Sequence, residues 1–180
     1  MSDARVAERY ARAFFELGVE ARQLDAFTDQ LRLVAEAYTR SAELRQALEN
    51  PLVTEQQRQA VLDELAERLN LSRTVLNGLK IMAIRRRMRA LPETAERLSK
   101  LADDHAGVAR ATVTSAVPLP EGFYEKLAVT LGQQTSRRVV IDARVDASLI
   151  AGVVTHIGDT VIDGSLKGRL QALERQLLSA

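Results

Sequence analysis

Residues 101–120 read Leu101-Ala-Asp-Asp-His105-Ala-Gly107-Val-Ala-Arg110-Ala-Thr-Val-Thr-Ser115-Ala-Val117-Pro-Leu-Pro120, and the pattern changes within them. Before His105 the apolar residues follow helical spacing. From Ala109 to Val117 the stretch is strand-like, and it closes at two prolines, which lack the amide donor that strand pairing needs. The boundary therefore falls near Ala106-Gly107. Composition agrees on either side. Residues 1–105 hold 16 Leu and 16 Ala against 13 β-branched residues and 2 Gly, which favours helix. Residues 106–180 hold 20 β-branched residues and 7 Gly, the mixture of strands and tight turns. The expected fold class is α+β: a six-helix bundle over 1–105, then a small α/β domain with a short mixed sheet over 106–180.

Upstream of the boundary the helices can be counted. Arg5 to about Gly18 is the first. Asp25 to Tyr38 places Phe27, Leu31, Val34 and Tyr38 on one stripe. A short helix ending near Leu48 is stopped by Asn50-Pro51, because proline disfavours helical geometry in the residue before it. Thr54-Glu55-Gln56-Gln57 fits a capping box ahead of a stripe of Val61, Leu62, Leu65 and Leu69. Ser72 suits the cap of a helix from Arg73 to Ile84. Leu91-Pro92-Glu93 opens the sixth, with Ala95, Leu98, Leu101 and Ala102 on its inner face.

Downstream, a helix is expected from Glu121 to Thr135 with Phe123, Leu127 and Leu131 inward. Val139, Ile141, Ala143 and Val145 alternate as a half-buried strand. Two strands, Val153 to Ile157 and Thr160 to Ile162, flank a turn at Gly158-Asp159. A last helix carries Leu166, Leu170, Leu173 and Leu177 within a narrow arc.

Two helices carry more apolar surface than one small core requires. In the first, Val6, Tyr10, Ala13 and Leu17 form a ridge, and Ala7, Ala11, Phe14 and Phe15 widen the apolar arc to roughly 200°, where about 100° serves a one-sided helix. In the fifth, Val75, Leu76, Leu79, Met82 and Ala83 make one face while Ile81 and Ile84 fall opposite. Two readings follow. Both helices are central members of the bundle, or they share an open groove that receives a helix of another chain.

Chemistry is harder to find. The 180 residues carry a net charge of +1, 46% apolar residues and no cysteine, so thiolate chemistry, disulfides and a broad phosphate-binding surface are poor expectations. The greasiest stretch, Val75 to Ile84, is interrupted by Asn77 and Lys80 and falls short of the 18 or more residues of a membrane span. Acids near the N-terminus argue against an export signal there, and the chain is expected to stay where it is made. His105 and His156 are isolated and make neither a metal site nor an acid–base pair. Gly164-Ser165-Leu166-Lys167-Gly168 lacks the frame of a phosphate loop. No catalytic residue, metal or cofactor is assigned. The run Arg85-Arg86-Arg87-Met88-Arg89 suits either the C-terminal dipole of the preceding helix or an anionic partner, a regulatory nucleic-acid module being the alternative function it allows. A hydrolase using His156 with Asp159 is a third, weaker reading.

Three stretches carry a family resemblance: Val6-Ala-Glu-Arg-Tyr10-Ala-Arg-Ala-Phe-Phe-Glu-Leu17, the segment Asn77 to Pro92, and Asp146 to Leu173 with its Gly152, Gly158 and Gly164 spacing. Together they resemble, end to end, the delta subunit of F-type ATP synthase, related to the mitochondrial oligomycin-sensitivity-conferring subunit. Two departures stand out: Arg85 to Arg87 occupy a turn where relatives commonly place an acidic or polar residue with Gly, and Ala151 replaces the first of two glycines.

The resemblance implies a non-catalytic stator connector that joins the α3β3 head to the peripheral stalk, so that rotary torque is coupled to proton flow. It implies that residues 1–105 bind the head and 106–180 the C-terminus of a b-type stalk subunit, with the stalk-contacting residues unspecified. In the family a groove between the first and fifth helices receives the N-terminal helix of an α subunit, which maps onto Tyr10, Ala13, Phe14 and Leu17 facing Leu76, Leu79 and Ala83. The location implied is the cytoplasmic face of a bacterial plasma membrane, peripheral through the complex, with no nucleic acid bound and no direct membrane insertion.

Overall fold

The computed structural model describes residues 3–149, 151–157 and 160–164. The fold is α+β, with seven α-helices and a four-stranded mixed sheet among the described residues. Two compact units divide the chain between Ala102 and Asp103.

The first unit is built from α1 (Asp3–Glu20), α2 (Leu24–Arg40), α3 (Ala42–Glu49), α4 (Glu55–Leu69), α5 (Arg73–Ile84), a 3-10 turn at Met88–Ala90, and α6 (Leu91–His105), whose last residues pass the division. Side chains start these helices where the sequence offers them. The Thr54 Oγ1 accepts from the Gln57 amide at 3.3 Å while the Gln57 Oε1 accepts from the Thr54 amide at 3.0 Å, which is the capping box. Ser41 and Ser72 accept from the amides of Leu44 and Val75 in the same way.

Helix ends are less conventional. After α1, α4 and α5 the chain passes through a left-handed residue, Arg22, Asn70 and Arg86, with φ of 53°, 52° and 54°. In each case the next amide reaches back to a carbonyl five residues earlier: Gln23 to Gly18, Leu71 to Ala66 and Arg87 to Met82, all at 2.8 to 2.9 Å. Glycine usually takes this position, because a Cβ there costs roughly 1–2 kcal/mol. The turn at Arg85–Arg87 thus keeps a glycine-type backbone while carrying arginine.

The core draws on all six helices. Phe27, Leu31, Val34 and Tyr38 of α2 are buried, as their stripe predicts, with Leu48 of α3, Leu62 of α4, and Leu91 and Leu98 of α6. On α4 the inner line is Arg58, Leu62 and Ala66, and Val61, Leu65 and Leu69 pack half-buried against it. On α1 the buried line is Val6, Ala7, Ala11 and Phe14, so the ridge through Tyr10, Ala13 and Leu17 is the one left outside.

The second unit contains β1 (Val108–Ser115), α7 (Glu121–Thr135), β2 (Arg138–Val145), β3 (Val153–Ile157) and β4 (Thr160–Asp163). The sheet order is β2-β1-β3-β4: β1 pairs parallel with β2 through the α7 crossover, and antiparallel with β3, which pairs antiparallel with β4. Ala111, Val113 and Ser115 of β1 alternate inward, with Thr155 of β3 opposite Val113. The alternation expected on β2 is only partly realised: Val139 and Ile141 are half-buried, but Ala143 and Val145 are exposed, since β2 is an edge strand shielded by one neighbour. On α7, Leu131 is buried, Leu127 half-buried and Phe123 exposed. The turn at Gly158-Asp159 and the helix through Leu166, Leu170, Leu173 and Leu177 lie outside the described residues.

Candidate partner-binding groove

The first and fifth helices meet where Phe14 lies across Gly78. A methyl group added to Gly78 would stand 2.4 Å from both Cε1 and Cζ of Phe14, closer than carbon atoms approach. Only glycine lets the Cε1–Cζ edge of the ring come this close to α5, and this ring lies at the base of a groove of 670 Å³.

Tyr10, Ala13, Phe14 and Leu17 line the α1 side. The α5 side differs from expectation. Leu79 and Ala83 are sealed in the core, and Leu76 packs half-buried against it, so none of the three lines the groove. Their places are taken by Gly78, Ile81 and Arg85, which follow one another at three and four residues along the next face of the helix. The physical reason is that Val75, Leu79 and Met82 are the stripe that the core claims first, leaving the adjoining stripe for the surface. Leu17 is 43% exposed and Ile81 52% exposed, so the walls are apolar and open to water above the buried Phe14 ring. Two of the missed residues had a signal: Ile81 as surplus apolar surface, and Arg85 as part of the basic run. Gly78 had one as well, a glycine inside a strong helix, where it weakens the helix unless something needs the space.

Arg9, Arg85 and Arg87 stand at the rim, and among the described residues no carboxylate lines the groove. The Arg9 guanidinium lies 5.8 Å from the centre of the Tyr10 ring, a cation–π distance. Ile84, 46% exposed, belongs to a separate hollow of 330 Å³ beside Leu52 and Arg58. Arg58 is buried and closes the C-terminal end of α5, donating from Nη1 to the Ala83 carbonyl at 3.4 Å and from Nη2 to the Val53 carbonyl at 2.6 Å.

Ion pairs hold the walls in place. Arg97 of α6 donates to Glu8 of α1 at 2.7 Å and to Glu93 at 2.8 Å, and Lys80 of α5 meets Asp63 of α4 at 2.6 Å. Hydrogen bonds from Arg12 and then Arg97 hold the Glu8 carboxyl below its ordinary range. Behind the arginine turn, the Tyr38 hydroxyl donates to Glu49, which also accepts from Arg89 Nε at 2.6 Å, so α2, α3 and the 3-10 turn are tied together. Burial raises the Glu49 pKa, but the bonds from Tyr38 and Arg89 prevail and leave it lowered. Burial, then the bond to Glu49, pushes the Tyr38 hydroxyl well above the usual tyrosine range.

Nothing in this arrangement performs covalent chemistry. His105 and His156 are both exposed, and among the described residues no group of three or more ligating side chains could hold a metal ion. What the geometry offers is an apolar groove with a basic margin.

Comparison with known proteins settles the kinship. The family model described as ATP synthase delta (OSCP) subunit matches residues 6–177. The chain belongs to this family. An ATP synthase subunit delta of Anaeromyxobacter dehalogenans (strain 2CP-C) is 40% identical over 172 residues, 96% of each chain. Another, of Myxococcus xanthus, is 36% identical over 179 residues and covers 98% of each. A chain in the mitochondrial ATP synthase hexamer of Toxoplasma gondii shares the fold, with a TM-score of 0.73 at 23% identity over 96% of this chain and 97% of that one. As a delta/OSCP chain the protein is a non-catalytic stator component, part of the peripheral stalk that links to the F1 head and so serves ATP synthesis and, through the complex, ion transport. No helix among the described residues is long and apolar enough to cross a membrane.

Proposed function

We propose that the groove between α1 and α5 is the grip on the catalytic head: it receives the amphipathic N-terminal helix of an α subunit of the α3β3 head. The six helices of 1–105 act as one bundle that presents this groove, and 106–180 meets the C-terminus of a b-type stalk subunit. In a bacterial cell this places the chain at the cytoplasmic face of the plasma membrane. The observation that carries the reading is the pair of exposed apolar walls. Leu17 and Ile81 expose their side chains beside Phe14 and Gly78, and a helix laid there removes that surface from water at about 25 cal/mol per Å² before the costs of association. A stator also has to resist lateral load, which calls for slow dissociation more than fast encounter.

Isothermal titration of a synthetic α-subunit N-terminal peptide into the full chain tests this. Ile81→Asp is expected to weaken binding by at least about 30-fold, the effect of losing a central anchor. Ile84→Asp, in the other hollow, leaves affinity unchanged. Equal losses from both variants, or no binding by the unaltered chain, would reject the groove.

A further inference from the structure

The apolar floor explains why a helix docks but not which one. We infer that the groove selects a helix carrying carboxylates beside its apolar stripe, with Arg9, Arg85 and Arg87 as the residues that read them; this rests on the docking reading above. Three observations point the same way. Among the described residues, every charged side chain lining the groove is basic. Among the described residues none of the three arginines forms an ion pair, while Arg89, next in the same run, is paired with Glu49 and Arg97 with Glu8 and Glu93. Finally, Arg86 takes the left-handed conformation that closes α5, and this turn carries Arg85 and Arg87 to the groove.

Spacing sharpens the prediction. Arg85 lies seven residues beyond Gly78, about 10 Å or two turns along α5 at 1.5 Å per residue. A docked helix therefore places an acidic residue about two turns from the apolar side chain that packs at the level of Gly78, between Leu17 and Ile81. Guanidinium groups at a partly desolvated rim attract carboxylates over about a Debye length, about 8 Å at physiological ionic strength, so they chiefly accelerate encounter and reject neutral or basic helices.

Two synthetic amphipathic helical peptides with one apolar stripe, one flanked by Glu and the other by Gln, distinguish the possibilities when titrated against the full chain in low and high salt. The Glu peptide is expected to bind about ten-fold more tightly at low salt, and the advantage shrinks at high salt. It also disappears in the Arg9→Gln/Arg85→Gln/Arg87→Gln variant, read as the ratio of the two peptides' affinities for that variant. Arg87 is half-buried, so Arg85→Gln alone, at an exposed position, serves as a second variant and loses part of the advantage. Equal binding of the two peptides, or an advantage that survives the triple variant, overturns the inference and leaves the docking reading standing. Failure of both peptides overturns inference and docking together. Arginine-dependent binding to phosphatidylglycerol vesicles that the Glu peptide does not displace assigns the rim to a lipid surface and also overturns it.

Discussion

Along α5, Val75, Leu79, Met82 and Ala83 face the core, and Gly78, Ile81 and Arg85 face the groove. Leu79 and Ile81 are two residues apart, both aliphatic and of similar size. One is wholly buried and the other is 52% exposed. The difference teaches that apolar character names the residues available for burial, while the neighbouring helices decide which are used within the chain and which are kept for another. Leu79→Ala is the strongest way to test that division. It leaves a cavity in a packed interior and is expected to cost about 2–5 kcal/mol in urea unfolding. A loss below about 1 kcal/mol would mean that the face assigned to the core is not closed. For the same reason Leu79 is a poor probe of docking, since altering it disturbs the fold that presents the groove.

Gly78→Ala acts on the line between the two faces. Alanine favours helix by about 1 kcal/mol over glycine, but its methyl group collides with the Phe14 ring at 2.4 Å. Overpacking of this kind costs about 1–3 kcal/mol, so the sign is expected to be net destabilisation, with the ring displaced into the groove. Combining it with Phe14→Leu, which gives the methyl group room, should recover part of the loss. A Gly78→Ala chain that is more stable than the parent would show that the close approach is not required.

Much of this was legible in the sequence, and the failures have two physical causes. Caps and stops are local: Thr54 with Gln57, Ser72, and Asn50-Pro51 place their helix ends by bonds within a few residues. The Phe27-Leu31-Val34-Tyr38 stripe was readable because α2 has one apolar face and therefore one choice. On α5 there were two, and the Leu79/Ile81 assignment depends on where α1 and α4 lie, which periodicity does not encode. On α1, Tyr10, Ala13 and Leu17 line the groove while Val6 of the same ridge is buried, and Phe14 both belongs to the core and lines the groove. The left-handed turn at Arg86 was illegible for a different reason: glycine is the usual signal and it is absent.

A smaller effect tests the support behind the arginine turn. Glu49 has a lowered pKa in the folded chain because Tyr38 and Arg89 donate to its carboxylate. The unfolded chain therefore binds the proton more readily, and this contribution to stability is present above the ordinary value of 4.5 and lost as pH falls through the lower folded value. Unfolding measured from pH 6 downward is expected to show a decline that Glu49→Gln makes shallower, because the amide still accepts from Tyr38 but carries no charge. An identical slope in the variant would place the acid sensitivity elsewhere.

The smallest stability effect belongs to the open face and is the most informative for the comparison. Ile81→Asn replaces a half-exposed side chain with a polar one on a surface that the core does not use, and the unfolding free energy is expected to change by less than about 0.5 kcal/mol. That near-neutrality is what distinguishes a residue held for a partner from one held for the fold. The same substitution places an amide in the centre of a docked interface, where its hydrogen-bonding groups lose water without gaining partners, so affinity for the α-subunit peptide falls while the melting curve stays in place. If stability and affinity fell together, Ile81 would belong with Leu79, and the division of α5 into an inner and an outer apolar face would not hold.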